Sequence, residues 1–214
     1  MTKTNMDYWR EALRNLPPLY KKWFDEEKKY LRKIIPKDAN ILEVGCGDGR
    51  SMNDILPITK NLTVIDHDKI AVRQAKKRFV EYPSVRIILA EATSLPFYNS
   101  SFDFVICMGT FTNLANKKFK ALSEMKRVVN KDGTIIVSGF AENALPERLK
   151  VYRTLKSPIK EIKDDGTVIF DKSLKDNVSE QFSKKQLILI FNKSKLKVKE
   201  IRKFGIGYVC QLSR

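Results

Sequence analysis

A chain of 214 residues, 43% of them hydrophobic, is long enough to bury a core and is most simply a single domain. No run approaches 18 apolar residues, which excludes a membrane-spanning helix, and the opening MTKTNMDYWREAL lacks the apolar core of a secretory signal. A net charge of +16, from 41 Lys and Arg against 25 Asp and Glu, favours anionic partners, but Lys exceeds Arg by 29 to 12 with no Arg-rich cluster, as a generally lysine-rich surface would have it.

The chain opens with two helical stretches, residues 7–16 and 19–35, in which Trp9, Leu13 and Leu16, then Leu19, Trp23 and Tyr30, recur at helical spacings. Pro17 and Pro18 separate them. The apolar run Ile41, Leu42 and Val44 reads as a strand buried on both faces. Gly45, Gly47 and Gly49 follow at spacing two, where a backbone without Cβ can approach a ligand, and residues 50–56 read as a short helix. From there strand and helix alternate. Residues 61–66 form a second strand and 69–82 a helix with Asp68 as N-cap; residues 85–89 and 102–108 form the third and fourth strands. An apolar face of Phe119, Leu122, Met125, Val128 and Val129 forms a helix that Lys131-Asp132-Gly133 ends, and residues 134–139 are the fifth strand. Regular βα alternation of this kind predicts a parallel, doubly wound sheet.

Beyond Phe140 the pattern departs from alternation. Residues 144–155 read as a helix and 159–171 as a hairpin around Asp164-Asp165-Gly166. A helix over 183–192, capped by Ser183, precedes an antiparallel pair, residues 197–204 and 208–212. Cys46, Cys107 and Cys210 are odd in number and scattered. With one histidine they offer neither a disulfide framework nor a zinc site, and a reducing cytoplasm is expected.

In an open α/β sheet, ligands bind beyond the carboxyl ends of the strands. Asp66 ends the second strand about twenty residues after the glycine turn, where a carboxylate can accept from both hydroxyls of a ribose. Glu91 ends the third strand, positioned to accept from an adenine amino group while Ala92 offers its N–H to the ring. Glu43 points from the first strand toward the turn, and a carboxylate buried there needs a partner such as an ammonium group. The dinucleotide fingerprint G-x-G-x-x-G would require Gly or Ala where Arg50 stands, which disfavours a nicotinamide cofactor.

What stands instead, E-x-G-x-G-x-G, resembles motif I of the class I S-adenosylmethionine-dependent methyltransferases. ILEVGCGDG, VIDHD, LAEATSLPF, SFDFVIC and EMKRVVNKDGTIIVSG occur in the order and spacing of the small-molecule-type members, over residues 41–139. The resemblance implies a Rossmann-like sheet of seven strands, mostly parallel with the last antiparallel, and helices on both faces. It implies S-adenosylmethionine as cofactor, with Glu43 at its ammonium group. Gly45, Cys46 and Gly47 would lie along its methionyl part, Asp66 on the ribose and His67 beside the adenosine. Glu91, Ala92 and Thr93 would hold the adenine, with Met108 and Gly109 as floor. The third-strand acid is usually aspartate in this pattern, and Glu91 is one methylene longer. After the fourth strand, Met108-Gly109-Thr110-Phe111 replaces the Asp/Asn-Pro-Pro-Tyr/Phe run of enzymes that methylate nucleic-acid amino groups.

One domain is therefore expected, divided into an N-terminal helical cap (1–37), a cofactor-binding core (38–140), an insertion (141–182) and a C-terminal helix and β-pair (183–214). Most of the cap's aromatic residues are expected to serve packing, with a lid over the ligand side of a self-sufficient core as the functional alternative. Thr112 and Asn113 would face the substrate. The expected activity is methyl transfer to a small-molecule acceptor, with no membrane partner. The alternative is an RNA-associated protein or RNA methyltransferase using the basic surface. Neither the catalytic residue nor the oligomeric state is readable from the sequence.

Overall fold

The structure is a computed structural model that describes residues 16–47, 49–174 and 177–214. The helix expected over residues 7–16 lies outside them apart from Leu16. Helix α1 (Pro18–Ile34) starts at a proline, which suits the first helical turn because its missing N–H has no intrahelical acceptor there. Strand β1 (Ile41–Val44) enters the glycine turn, and a single-turn helix α2 (Met52–Ile55) leaves it for β2 (Leu62–Asp66). Helix α3 (Lys69–Arg78) is capped by Asp68, whose carboxylate accepts from the Ile70 N–H at 2.7 Å. Strand β3 (Arg86–Leu89), β4 (Phe102–Cys107), helix α4 (Lys118–Val128) and β5 (Val129–Ala141) follow.

The fifth strand begins five residues earlier than its apolar run suggests. Lys131-Asp132-Gly133 lies inside β5, at a register shift against β4, where Phe102 pairs with Val129 but Phe104 pairs with Thr134. Helix α4 is ended instead by Val128 passing straight into extended backbone at Val129. The insertion holds α5 (Leu145–Thr154), the antiparallel hairpin β6 (Ile159–Ile162) and β7 (Val168–Phe170), and the short strands β8 (Val178–Ser179) and β9 (Gln181–Phe182). Helix α6 (Lys184–Lys193), with a Ser183–Gln186 capping box, leads to β10 (Lys197–Phe204) and β11 (Gly207–Ser213).

The main sheet runs β10-β11-β5-β4-β1-β2-β3. Pairings among β1 to β5 are parallel, and β11 is antiparallel to both its neighbours. Because β1 lies between β2 and β4, the chain reverses its direction of travel there, making the switch point where a crevice opens. An eighth strand, β9, pairs in parallel with Phe140 and Ala141, where the sequence leads one to expect seven. Two residues carry no periodicity, so only the sheet end they meet defines them as a strand.

Alternate side chains of the buried strands feed opposite faces. Leu42, Ile65, Val105, Ile135 and Cys210 pack with Leu122 and Met125 of α4 and Phe191 of α6. Ile41, Val64, Ile106, Ile136 and Val209 pack with Tyr30 and Leu31 of α1 and Met52 and Ile55 of α2. A third cluster, over the end of the sheet, joins Tyr20 and Trp23 of α1 to Phe140 and to Val151, Tyr152, Val168 and Phe170 of the insertion. The second half of α1 is thus part of the sheet's core, and its first half is part of the roof.

Candidate functional site

A cavity of about 590 Å³ opens at the carboxyl ends of the parallel strands, within the range of small-molecule sites. Every residue expected at the cofactor lines it except Glu43. Gly45, Cys46 and Gly47 come from the turn after β1, Asp66 and His67 from the end of β2, Glu91, Ala92 and Thr93 from beyond β3, and Met108 and Gly109 from beyond β4. Two staples hold these strand ends together: the Thr110 hydroxyl donates to the Gly45 carbonyl at 2.8 Å, and the Gly109 N–H to Ser138 Oγ at 2.9 Å. Gly47 and Gly109 have φ of +55° and +76°, and a Cβ built on either meets nothing within 4 Å. Bare left-handed backbone facing open cavity is the cradle an extended ligand needs.

Asp66 is buried at the centre of this rim. Its Oδ2 accepts from the Gly47 N–H and its Oδ1 from the Asp68 N–H, each at 2.9 Å, and His67 Nδ1 lies 3.4 Å from Oδ1. Burial pushes the carboxyl up, but the hydrogen bonds from His67, Asp68 and Gly47 outweigh it and hold Asp66 below the ordinary aspartate value. The same hydrogen bond raises the pKa of His67. Oδ1 is taken by Asp68 and His67, but Oδ2 accepts only from Gly47 and keeps a lone pair, so an ionised Asp66 can still accept from the cavity there. Glu91 is more loosely set, its side chain 54% exposed and 3.9 Å from Lys117 Nζ, a surface pair that fixes little.

Glu43 is fully buried beneath the turn. One oxygen accepts from the Ser51 hydroxyl, while Oε2 has no partner among the described residues. Burial pushes its pKa from 4.5 up to about 7. A second buried carboxylate, Glu27 of α1, reaches the same region and accepts from Arg50 Nη2 at 3.1 Å. Burial raises its pKa too, against the pull of Arg50.

Where α1, the end of β5 and α5 meet the cavity the lining is mostly apolar, with Tyr20, Trp23 and Phe24 from α1, Phe140 from β5 and Val151 from α5, and the Arg50 guanidinium over Phe24. Their rings interlock, Trp23 and Tyr20 lying 5.1 and 5.7 Å from Phe140 between centroids. Among the described lining residues, the acids and the histidine all belong to the strand-end side. Thr112 and Asn113 also line the cavity, but their polar atoms are engaged: the Thr112 hydroxyl donates to the Gly109 carbonyl, and Asn113 Nδ2 to the Val178 carbonyl. Arg50, Phe140 and Val151 are lining residues that sequence reasoning does not single out. Arg50 directly after the glycines is the only one with a local signal; Phe140 at the end of β5 and Val151 in α5 reach the site only through tertiary packing.

No helix among the described residues is long and apolar enough to cross a membrane. A family model described as a methyltransferase domain matches residues 42–137. The uncharacterized protein MJ1123 of Methanocaldococcus jannaschii is 31% identical over 153 residues, 68% of either chain. The ubiquinone/menaquinone biosynthesis C-methyltransferase UbiE of Campylobacter jejuni is 27% identical over 193 residues, 84% of this chain and 80% of that one. In fold, a crystal structure of an S-adenosylmethionine-dependent methyltransferase from Aquifex aeolicus superposes with a TM-score of 0.68 at 18% identity, over 98% of both chains. Matched in sequence along the strands that frame the cavity, and in fold over nearly its whole length, the chain belongs to the class I S-adenosylmethionine-dependent methyltransferases, enzymes that take their methyl group from that cofactor.

Proposed function

We propose that this enzyme methylates a small, largely apolar acceptor seated against the aromatic wall, while S-adenosylmethionine lies along the strand ends. The observation that carries the reading is the division of one cavity into a polar, backbone-lined side and a side built from Tyr20, Trp23, Phe24, Phe140 and Val151. When bound, the cofactor supplies a methyl on a sulfonium that carries its own leaving group, so the protein's task is chiefly alignment and exclusion of water.

In this reading Gly45, Cys46 and Gly47 flank the methionyl chain, with Met108 and Gly109 as floor. Asp66 accepts from the ribose hydroxyls, His67 flanks the adenosine, and Ala92 and Thr93 meet the adenine through backbone while Glu91 lends a looser contact. Glu43 serves from below, fixing Ser51 and hence the exit of the glycine turn. The aromatic wall desolvates the acceptor and holds its nucleophile in line with the methyl, and the proton the acceptor gives up passes to solvent. The three cysteines are buried and outside any disulfide, which fits a reducing cytoplasm.

RNA as acceptor is the second reading, favoured by the +16 charge; an apolar chamber of this size suits a lone ring better than a phosphate-bearing chain. Isotope-labelled S-adenosylmethionine offered with quinols, phenols and thiols on one hand and total RNA on the other separates the two. Quinols are the first probes because the relative UbiE is a quinone-biosynthesis C-methyltransferase. Label in an organic-extractable product is expected. Label in RNA alone overturns the small-acceptor reading.

A further inference from the structure

The glycine turn delivers one cation to the cavity, and that cation is held by the cap. Arg50 lines the cavity beside Gly47 and Ser51, whereas the other described lining cations, His67 and Lys117, stand against Asp66 and Glu91 on the far side. Two residues of α1 seat its guanidinium. Glu27, 1% exposed, accepts from Nη2 at 3.1 Å, and the Phe24 ring lies 3.9 Å from Cζ. A guanidinium carries five N–H donors in a rigid fork, and the bond to Glu27 takes one of them. Stacking on Phe24 fixes the plane of the fork and leaves its remaining edge free to meet a planar acceptor.

We propose that Arg50 recognises the carboxylate at the methionyl end of the cofactor, and that its seat on Glu27 and Phe24 makes α1 sense whether that carboxylate is present. The inference rests on the placement of the methionyl chain beside Gly47 given above. The surrounding charge suits a zwitterion better than a plain anion. Glu27 already offsets Arg50, and Asp54 is itself balanced by Lys28 at 3.4 Å. A ligand that brings an ammonium with its carboxylate therefore leaves the site neutral. The consequence reaches the acceptor wall, because Phe24 and Glu27 share a helix with Tyr20 and Trp23. A cofactor that tightens Arg50 tightens that wall as well.

Two ligands isolate the carboxylate. S-adenosylhomocysteine carries the amino-acid end, and 5′-methylthioadenosine keeps the adenosine and thioether but lacks it. In calorimetry the wild type should prefer S-adenosylhomocysteine by roughly tenfold or more, the scale of one charge-assisted hydrogen bond. Arg50→Gln should erase most of that preference while leaving 5′-methylthioadenosine within about twofold of wild type, which doubles as the folding control. Arg50→Lys, keeping the charge without the fork, should fall between. Glu27 is a positioning residue, so Glu27→Gln should shrink the preference ratio without changing 5′-methylthioadenosine binding. Hydrogen exchange in residues 18–34 should slow with S-adenosylhomocysteine and not with 5′-methylthioadenosine. A wild type that binds the two ligands equally overturns the proposal while leaving the Asp66 placement intact. So does an Arg50→Gln protein that keeps its preference, or one that weakens both ligands alike.

Discussion

Asp66 and Glu43 are both acids at the site, yet their surroundings push them in opposite directions. Asp66 accepts from Gly47 and Asp68 and stays ionised; Glu43 is buried with one oxygen unpartnered among the described residues, and burial pushes it up to about 7. In the proposed reading, replacing Asp66 by Ala removes the acceptor for the ribose, and a charge-assisted bond contributes roughly 1.5–3 kcal/mol. Cofactor affinity in calorimetry should fall on the order of a hundredfold, with circular dichroism checking the fold, because the lost Gly47 contact also loosens the turn. An unchanged affinity in a folded Asp66→Ala protein would remove Asp66 from the ribose. For Glu43 the sign runs the other way. Its folded pKa lies above the unfolded one, so the native state holds the extra proton between about 4.5 and 7, and stability declines as pH rises through that window. Glu43→Gln removes this decline. Its stability, read from melts at each pH, should gain on wild type between pH 5 and pH 8 by an amount on the order of 3 kcal/mol at most. Parallel pH profiles for the two proteins would show that Glu43 is already ionised at pH 5.

At the scale of elements, α1 is the piece whose role differs most from a reading by position alone. A helix ahead of the first strand looks like a detachable cover, yet Tyr30 and Leu31 are buried against β1 and β2, and the Tyr30 hydroxyl donates to Glu200 of β10 at 2.9 Å. Trp23 is 1% exposed between Phe140 and the insertion. Losing each such side chain costs about 2–5 kcal/mol, against a total stability of roughly 5–15 kcal/mol. A chain starting at Ile35 should therefore show no cooperative thermal transition and no cofactor binding. A cooperative melt with retained S-adenosylhomocysteine binding would restore the detachable lid.

For the molecule as a whole, the charge is large and unfocused. Lysines recur on α1, α3, α6 and β10 and form no single run. Charge of this kind attracts polyanions through counterion release and not through base contacts. Retention of generic RNA at 50 mM salt should fall by orders of magnitude at 200 mM, read by fluorescence anisotropy. Sequence-selective binding that persists at high salt would assign the basic surface a specific RNA partner.

How much of this was legible in the sequence follows from how local each cause is. The glycine spacing, the apolar runs of β1, β2 and β4, the Asp68 and Ser183 caps and the strand-end acid Asp66 depend on neighbours in the chain, and each is found where the sequence puts it. Lys131-Asp132-Gly133 misleads because a helix stop and a bulged strand use the same residues, and only pairing with β4 decides between them. Strand β9 exists through two residues meeting the end of β5. Glu27 has the same reason at the level of the site: on an otherwise lysine-rich helix it reads as a surface charge, until the fold buries it against an arginine 23 positions away. Local pattern determines the strand-end side of the cavity, since the residues that line it end or directly follow β1, β2, β3 and β4, strands with their own sequence signals. The aromatic wall is assembled from α1, β5 and α5, and burial of that kind is a property of the tertiary structure alone.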